Sequence, residues 1–253
     1  MMRFIIIFFI FFFIFSCSSK KDIIYFQDFD QIEKVDTKYS TYKLKTDDIL
    51  KIDISAENFA AVQIFDKLGP SYNNNNTESY LYNGYQIDSK GFIDFPTLGK
   101  IKAEGYTTTE IKDLIFKMLV DDDLLVNPYV DVKLINAYFT VIGEVNRPGR
   151  YTFLENNINI IEAIGLAGDL SITGSRNNIK IFRKVNNKNK VIIVDLTSSL
   201  TFKNENFQIF SGDIIVVNPN AAKVKNAGII GNSGNLISVL SFLISTIVLV
   251  TRR

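Results

Sequence analysis

Histidine is absent from the 253 residues and cysteine occurs once, at Cys17. Without an imidazole the chain lacks the usual general base, the commonest zinc ligand and the middle member of a serine triad. No glycine-rich phosphate loop is present, and no pair of carboxylates stands out as the two-acid machinery of a glycosidase. The composition therefore reads as a protein that is not an enzyme, with no catalytic residues, no metal site and no cofactor. An excess of charge is missing too: 28 Lys and Arg face 27 Asp and Glu, so nothing points to a nucleic-acid partner. What the chain does have is apolar residues, 47% of the total, enough for one or two modest cores.

The lone cysteine has a telling position. Ile14-Phe15-Ser16-Cys17 closes a run of Ile and Phe that starts at Phe4 and resembles a bacterial lipobox. Arg3 is a minimal basic n-region, Phe4 to Phe15 is too short to span a bilayer, and the small Ser16 precedes the cleavage point, which is signal-peptide anatomy. Residues 1–16 are expected to be removed as a lipoprotein signal peptide and Cys17 to carry lipid. No thiol would then remain for a disulfide, a zinc site or a nucleophile, although the compartment would permit disulfides. Loss of Arg3 would leave 27 charges of each sign. The competing reading is an uncleaved anchor with an incidental cysteine.

At the other end, Leu236 to Val250 runs without a charge and is followed by Thr251, Arg252 and Arg253. As a helix, at ~1.5 Å per residue, it reaches roughly 22 Å, short of a ~30 Å hydrocarbon core. Extension back to about Ala227 would supply the missing length, and the bacterial outer membrane is thinner than average. Ser238, Ser241 and Ser245 fall on one narrow stripe at helical spacing, with Asn235 and Thr246 flanking it. The other face is Leu, Ile, Val and Phe. Two readings follow: the hydroxyls pack a helix pair or bond back to the preceding turn, or several copies form a ring whose stripes line an aqueous pore.

Between these ends the Asn-rich Asn73 to Asn76 reads as an exposed loop. Residues 17–40 read as a lipidated tether with apolar anchors at Ile23, Ile24, Tyr25 and Phe26. A first module covers 41–135. Its strands are Tyr42-Leu44, Ile49-Ile54, Tyr85-Ile87, Gly91-Ile93 and Ile101-Ala103, expected to form a meander, with another at Tyr129-Leu134. Its helix is announced by Thr107-Thr108-Thr109-Glu110, a capping signal, and carried by Ile111, Leu114, Ile115, Met118 and Leu119. Asp121-Asp122-Asp123 reads as a solvated helix stop rather than a metal cluster. A second module covers 136–219: a strand at Phe139-Val145, the turn Asn146-Arg147-Pro148-Gly149, a strand at Tyr151-Phe153, a helix over Ile158-Ala167, and strands at Ile179-Arg183, Val191-Leu196 and Asp213-Val217. Glu144, the acid most easily mistaken for a catalytic one, reads as structural or interfacial. Residues 220–253 are a linker and the C-terminal helix.

These landmarks resemble a family, the bacterial outer-membrane polysaccharide export lipoproteins. Tyr42-Lys43-Leu44 through Asp48-Ile49-Leu50-Lys51-Ile52, Tyr85-Gln86-Ile87-Asp88 with Gly91-Phe92-Ile93, Phe95-Pro96-Thr97-Leu98-Gly99-Lys100-Ile101, Gly105-Tyr106-Thr107 and Asn127-Pro128-Tyr129-Val130-Asp131-Val132 follow the export domain in order. Val141-Ile142-Gly143-Glu144-Val145, Arg147-Pro148-Gly149-Arg150-Tyr151 and Ala163 to Gly168 resemble the soluble-ligand-binding β-grasp (SLBB) module that accompanies it. The chain departs from the family at Asp47, where Gly-Asp is usual, and at Asp169, where a second glycine is usual; only one β-grasp copy is evident.

The resemblance implies an α+β fold: an export domain of mixed sheet with a helix, a β-grasp module and a C-terminal transmembrane α-helix. It implies a homo-oligomeric ring held in outer-membrane lipid by acylated Cys17, conducting a capsular polysaccharide or exopolysaccharide from periplasmic domains outward. Asn235, Ser238, Ser241, Ser245 and Thr246 would line the pore without a charge to trap the glycan. Arg252 and Arg253 would sit at the outer rim or simply cap the helix. Ser18 and Ser19 agree, by analogy, with outer-membrane sorting, and an inner-membrane polysaccharide co-polymerase is the implied partner. The alternative is a monomeric membrane-anchored glycan-binding lipoprotein without channel activity.

Overall fold

Period-two alternation and two helix-capping signals account for most of the elements seen in the computed structural model, which describes residues 23–28, 40–65, 83–154, 157–185, 188–204, 207–227 and 233–251. The expected signal peptide, Cys17, the Asn73 to Asn76 patch and Arg252-Arg253 lie outside the described residues.

The first module contains β1 (Ile49–Ser55), a four-residue helix α1 (Phe59–Val62), β2 (Tyr85–Gln86), β3 (Phe92–Phe95), β4 (Gly99–Lys102), α2 (Thr108–Asp121) and β5 (Tyr129–Leu134). The expected meander is not what forms. β1 is the centre of a sheet ordered β2-β1-β5, all antiparallel, while β3 and β4 make a separate hairpin. β5 reaches β1 because α2 carries the chain across, burying Ile111, Ile115 and Leu119 completely beside Leu50, Ile87 and Ile93. The start of α2 is fixed by a reciprocal cap. Glu110 N donates to Thr107 Oγ1 at 3.0 Å and Thr107 N donates to Glu110 Oε2 at 2.7 Å, a pairing worth about 1 kcal/mol. At its other end Asp121, Asp122 and Asp123 are exposed.

The second module contains β6 (Tyr138–Gly143), β7 (Gly149–Thr152), β8 (Ile158–Asn159), α3 (Ile160–Leu166), β9 (Gly174–Val185), β10 (Lys188–Val194), β11 (Gln208–Ile209) and β12 (Asp213–Pro219). Its main sheet is ordered β10-β9-β12-β6-β7, with β12 parallel to β6 and every other pair antiparallel. α3 lays Ile160, Ala163 and Ile164 on a core built from Phe139, Val141, Ile179, Ile181 and Ile215. The helix begins later than its apolar pattern suggests, because Ile158 and Asn159 pair with Ile209 and Gln208 as strand. Asn159 then caps α3 through bonds from Ile161 N at 2.9 Å and Glu162 N at 3.0 Å.

Beyond β12 come α4 (Ala221–Ala227) and α5 (Ser233–Thr251). The apolar tail is helical, as its sequence indicates, but the membrane crossing expected of it is corrected: no helix among the described residues is long and apolar enough to cross a membrane. Nineteen residues at ~1.5 Å each run about 28 Å, under the ~30 Å of a typical hydrocarbon core. Every α5 side chain that the structure describes is exposed.

Both family departures fall on left-handed backbone, Asp47 at φ +68° and Asp169 at φ +74°. Aspartate tolerates that region better than most residues because its short carboxylate bonds locally. Here Leu170 N donates to Asp169 Oδ1 at 2.7 Å and Gln86 Nε2 to Asp47 Oδ1 at 3.3 Å.

Candidate functional site

Helical spacing alone brings Ser238, Ser241 and Ser245 onto one face of α5, with Thr246 beside them and all four exposed. Ser238 Oγ donates to Gly234 O at 2.9 Å and Thr246 Oγ1 to Phe242 O at 2.6 Å. These two hydroxyls thus bond back to the preceding turn. The side chain of Asn235 lies outside the described residues, as does Cys17.

At α4, Glu144 ties three segments together. Its Oε2 accepts from Ser171 Oγ at 3.0 Å and Thr173 Oγ1 at 2.5 Å, and its Oε1 accepts from Lys223 Nζ at 2.6 Å. The Lys223 ammonium, then the Thr173 hydroxyl, hold the Glu144 carboxyl down at about 2. Asn220 adds to this knot, its backbone N–H donating to Thr173 O at 2.7 Å while its Oδ1 accepts from Lys223 N at 3.0 Å. Glu144 is therefore a structural anchor for α4, the element from which the tail leaves.

The tether is docked. Phe26 N donates to Leu196 O at 3.0 Å and Gln27 N to Thr197 O at 2.8 Å. Asp28 accepts from Ser199 N at 2.6 Å and Ser198 Oγ at 2.8 Å, bonds that pull its carboxyl to about 2, led by the Ser199 amide. The Phe26 ring lies 4.9 Å from Phe202 at a 41° tilt, and Tyr25 lies 4.9 Å from the buried Arg176 guanidinium. The signal in the sequence was the apolar cluster Ile23 to Phe26 inside an otherwise polar stretch; its destination 170 residues downstream was not legible there.

A polar and aromatic seam joins the modules. Ser40 donates through N and Oγ to Gln208 Oε1 at 2.7 and 3.0 Å. Tyr42 meets Phe210 edge to face at 5.8 Å, and its hydroxyl donates to Asp48 Oδ2 at 2.9 Å. Burial raises both the Tyr42 phenol and the Asp48 carboxyl above their ordinary ranges. The Arg183 guanidinium also lies 4.1 Å from the Phe210 ring and is paired with the buried Asp213 at 2.7 Å. Asn136, between the modules, accepts from Ile49 N at 2.8 Å and donates to Asp47 O at 2.9 Å. Each of these polar groups has a defined partner across or along the seam. Among the described residues no group of three or more His, Cys, Asp or Glu could hold a metal ion.

Two α+β units on a shared polar seam, followed by an exposed apolar helix, define a modular α+β scaffold. Residues 36–135 match the polysaccharide biosynthesis/export protein family and residues 138–195 match the SLBB domain. Together these two matches support a polysaccharide export family protein. It is similar to the EPS I polysaccharide export outer membrane protein EpsA of Ralstonia solanacearum, 28% identical over 160 residues, a stretch covering 60% of this chain and 41% of that protein. EpsA of Ralstonia nicotianae is 31% identical over 105 residues, covering 40% of this chain and 27% of that protein. The chain thus spans less than half the length of these curated relatives.

Proposed function

We propose that the chain is a component of an oligomeric outer-membrane apparatus that exports a capsular polysaccharide or exopolysaccharide, and that it acts by assembly and passage rather than by catalysis. The observation that carries this reading is the apolar helix α5, whose described side chains are all exposed and call for lipid and neighbouring copies to cover them. Relatives named as polysaccharide export outer membrane proteins support the location and the cargo.

In this reading Cys17 is acylated and holds a homo-oligomeric ring at the outer membrane. The α5 helices gather there with their Asn235, Ser238, Ser241, Ser245 and Thr246 sides toward a hydrated path and their aliphatic sides toward lipid. The two attachments leave the body close together. Tyr25 of the tether is bonded to Asp169, and Lys223 of the tail is tied through Glu144 to Ser171 and Thr173, two and four residues further along the same loop. This arrangement presents one corner of the second module to the membrane. An inner-membrane polysaccharide co-polymerase completes the route.

Native mass spectrometry of the full chain, extracted in mild detergent, against a chain ending at Asn226 tests the reading. A closed ring that loosens without α5 supports it. A monomer in both cases sinks it in favour of an anchored glycan-binding lipoprotein. Radiolabelled palmitate incorporation that is abolished in Cys17→Ala tests the anchor separately.

A further inference from the structure

We propose that the cleft between the two modules binds carboxylate-bearing segments of an acidic polysaccharide, an inference that rests on the export reading and gives the cargo a charge. The cleft has a volume of about 580 Å3 and lies between the chain segment leading into β1 and the β9–β10 end of the second sheet. That size lies within the range of ordinary ligand sites.

Its cations are the unusual feature. Lys45 is half-buried; its ammonium donates to Lys184 O at 3.3 Å and lies 5.2 Å from the Tyr42 ring, with no carboxylate in salt-bridge range among the described residues. Burial pushes this ammonium below its usual value, opposed by the charges of Asp213 and Asp48, with Arg183 and Lys184 adding smaller pushes downward. Lys190 stands opposite Arg183 in the β9–β10 register, so both side chains share the face that borders the cleft. Among the described residues neither Lys184 nor Lys190 takes part in an ion pair, whereas Arg183 is matched by Asp213.

The carboxylates that border the cleft are engaged elsewhere. Asp47 accepts from Gln86 at 3.3 Å, and Glu104 is paired with Lys102 at 3.3 Å. The cleft is therefore lined by the half-buried Lys45 ammonium and by the exposed Lys184 and Lys190, and an incoming anion would offset the cost of burying Lys45. Tyr42 and Phe210 add apolar ring surface alongside, suited to the faces of sugar rings. A neutral glycan would satisfy the rings and leave the charges unmatched. A polymer with carboxylates at intervals satisfies both.

The test uses the full chain in detergent, with titration calorimetry against an oligogalacturonate, a neutral maltooligosaccharide of equal length, and inorganic phosphate. The expected result is saturable binding of the oligogalacturonate alone, weakened by high salt and weakened about tenfold or more in Lys45→Gln/Lys190→Gln, with ring mass and melting temperature unchanged. Undiminished binding in the double variant, equal binding of the neutral sugar, or binding of phosphate as tight as that of the oligouronate would each overturn the proposal. Loss of the ring in the double variant would also overturn it, making the cleft a contact for a neighbouring copy. An intact ring that ignores the oligouronate defeats this inference alone, whereas absence of a ring in the unsubstituted chain defeats the export reading beneath it.

Discussion

Tyr25 Oη donates to Asp169 Oδ1 at 2.6 Å across 144 residues of sequence, so the tether is clasped to the loop that follows α3. The same ring covers Arg176, a 6% exposed side chain whose Nε has no hydrogen-bond partner. Tyr25→Phe keeps the ring and removes only the bond, for a local loss of about 1 kcal/mol. Tyr25→Ala also uncovers the guanidinium and should cost roughly 2–3 kcal/mol. Hydrogen exchange at the Phe26 and Gln27 amides reads both, with Leu44 in the first module as the unaffected reference. Equal exchange in all three proteins would show that the tyrosine does not hold the tether.

Gly143 ends β6 at φ +95°, and a Cβ there would lie 2.1 Å from Val217 O. That carbonyl belongs to β12 and accepts the Glu144 amide at 3.0 Å, so it cannot yield without opening the parallel pairing. Gly143→Ala should cost about 3–4 kcal/mol, the left-handed penalty and the clash together. Gly105→Ala shares the positive φ, +85°, but meets nothing within 4 Å, and should cost only the ~1–2 kcal/mol of the conformation. Urea unfolding of both proteins separates sterics from backbone preference; equal losses would refute the clash.

Local signals were legible in the sequence where a residue and its partner lie within a few positions. The Thr107–Glu110 box predicted the start of α2, and strict alternation predicted β5 over Tyr129 to Leu134. Partnerships across the chain were not. Nothing in Ile49 to Ser55 says that its neighbour is β5 rather than the next strand, because alternation sets which face is buried and not which edge is paired. Ile158 and Asn159 looked helical because their apolar spacing continues that of α3; the strand they form depends on Gln208 and Ile209. The serine stripe of α5 was readable from spacing alone, whereas the knot around Glu144 required Lys223, distant in sequence, to be brought to it.

Arg183 and Asp213 form the one ion pair among the described residues with both side chains buried, at 7% and 1% exposure. Asp213 Oδ2 also accepts from Phe210 N at 2.8 Å, and Arg183 Nη2 donates to Gln208 O at 2.6 Å, so the pair braces the strand end that faces the first module. Asp213→Ala strands a buried cation and should cost about 3–5 kcal/mol. Arg183→Met strands the carboxylate at similar cost, and the double variant should lose less than the two single losses added. A double-mutant cycle in urea measures this, and strict additivity would rule out direct coupling.

The Glu144–Lys223 knot makes docking of the tail sensitive to acid, and the sign is fixed by the direction of the shift. The Glu144 carboxyl is held at about 2, below its ordinary 4.5. Its contribution is thus fully present above pH 4.5 and declines as pH falls toward 2, when the folded form must take up the proton. Asp28, also held at about 2 by Ser199 and Ser198, weakens over the same window at the tether. Global acid unfolding therefore mixes the two, and a local probe is needed. A fluorophore on α4 should report release of the helix between pH 4.5 and 2 in the unsubstituted protein. Lys223→Met removes the largest cause of the shift and should move that release to higher pH, toward the ordinary carboxylate range. In Glu144→Gln no proton can be taken up, so the Glu144 component of the transition should vanish while the Asp28 component at the tether persists. A release profile identical in all three proteins would mean that the tail is held by Asn220 and the β12 connection alone.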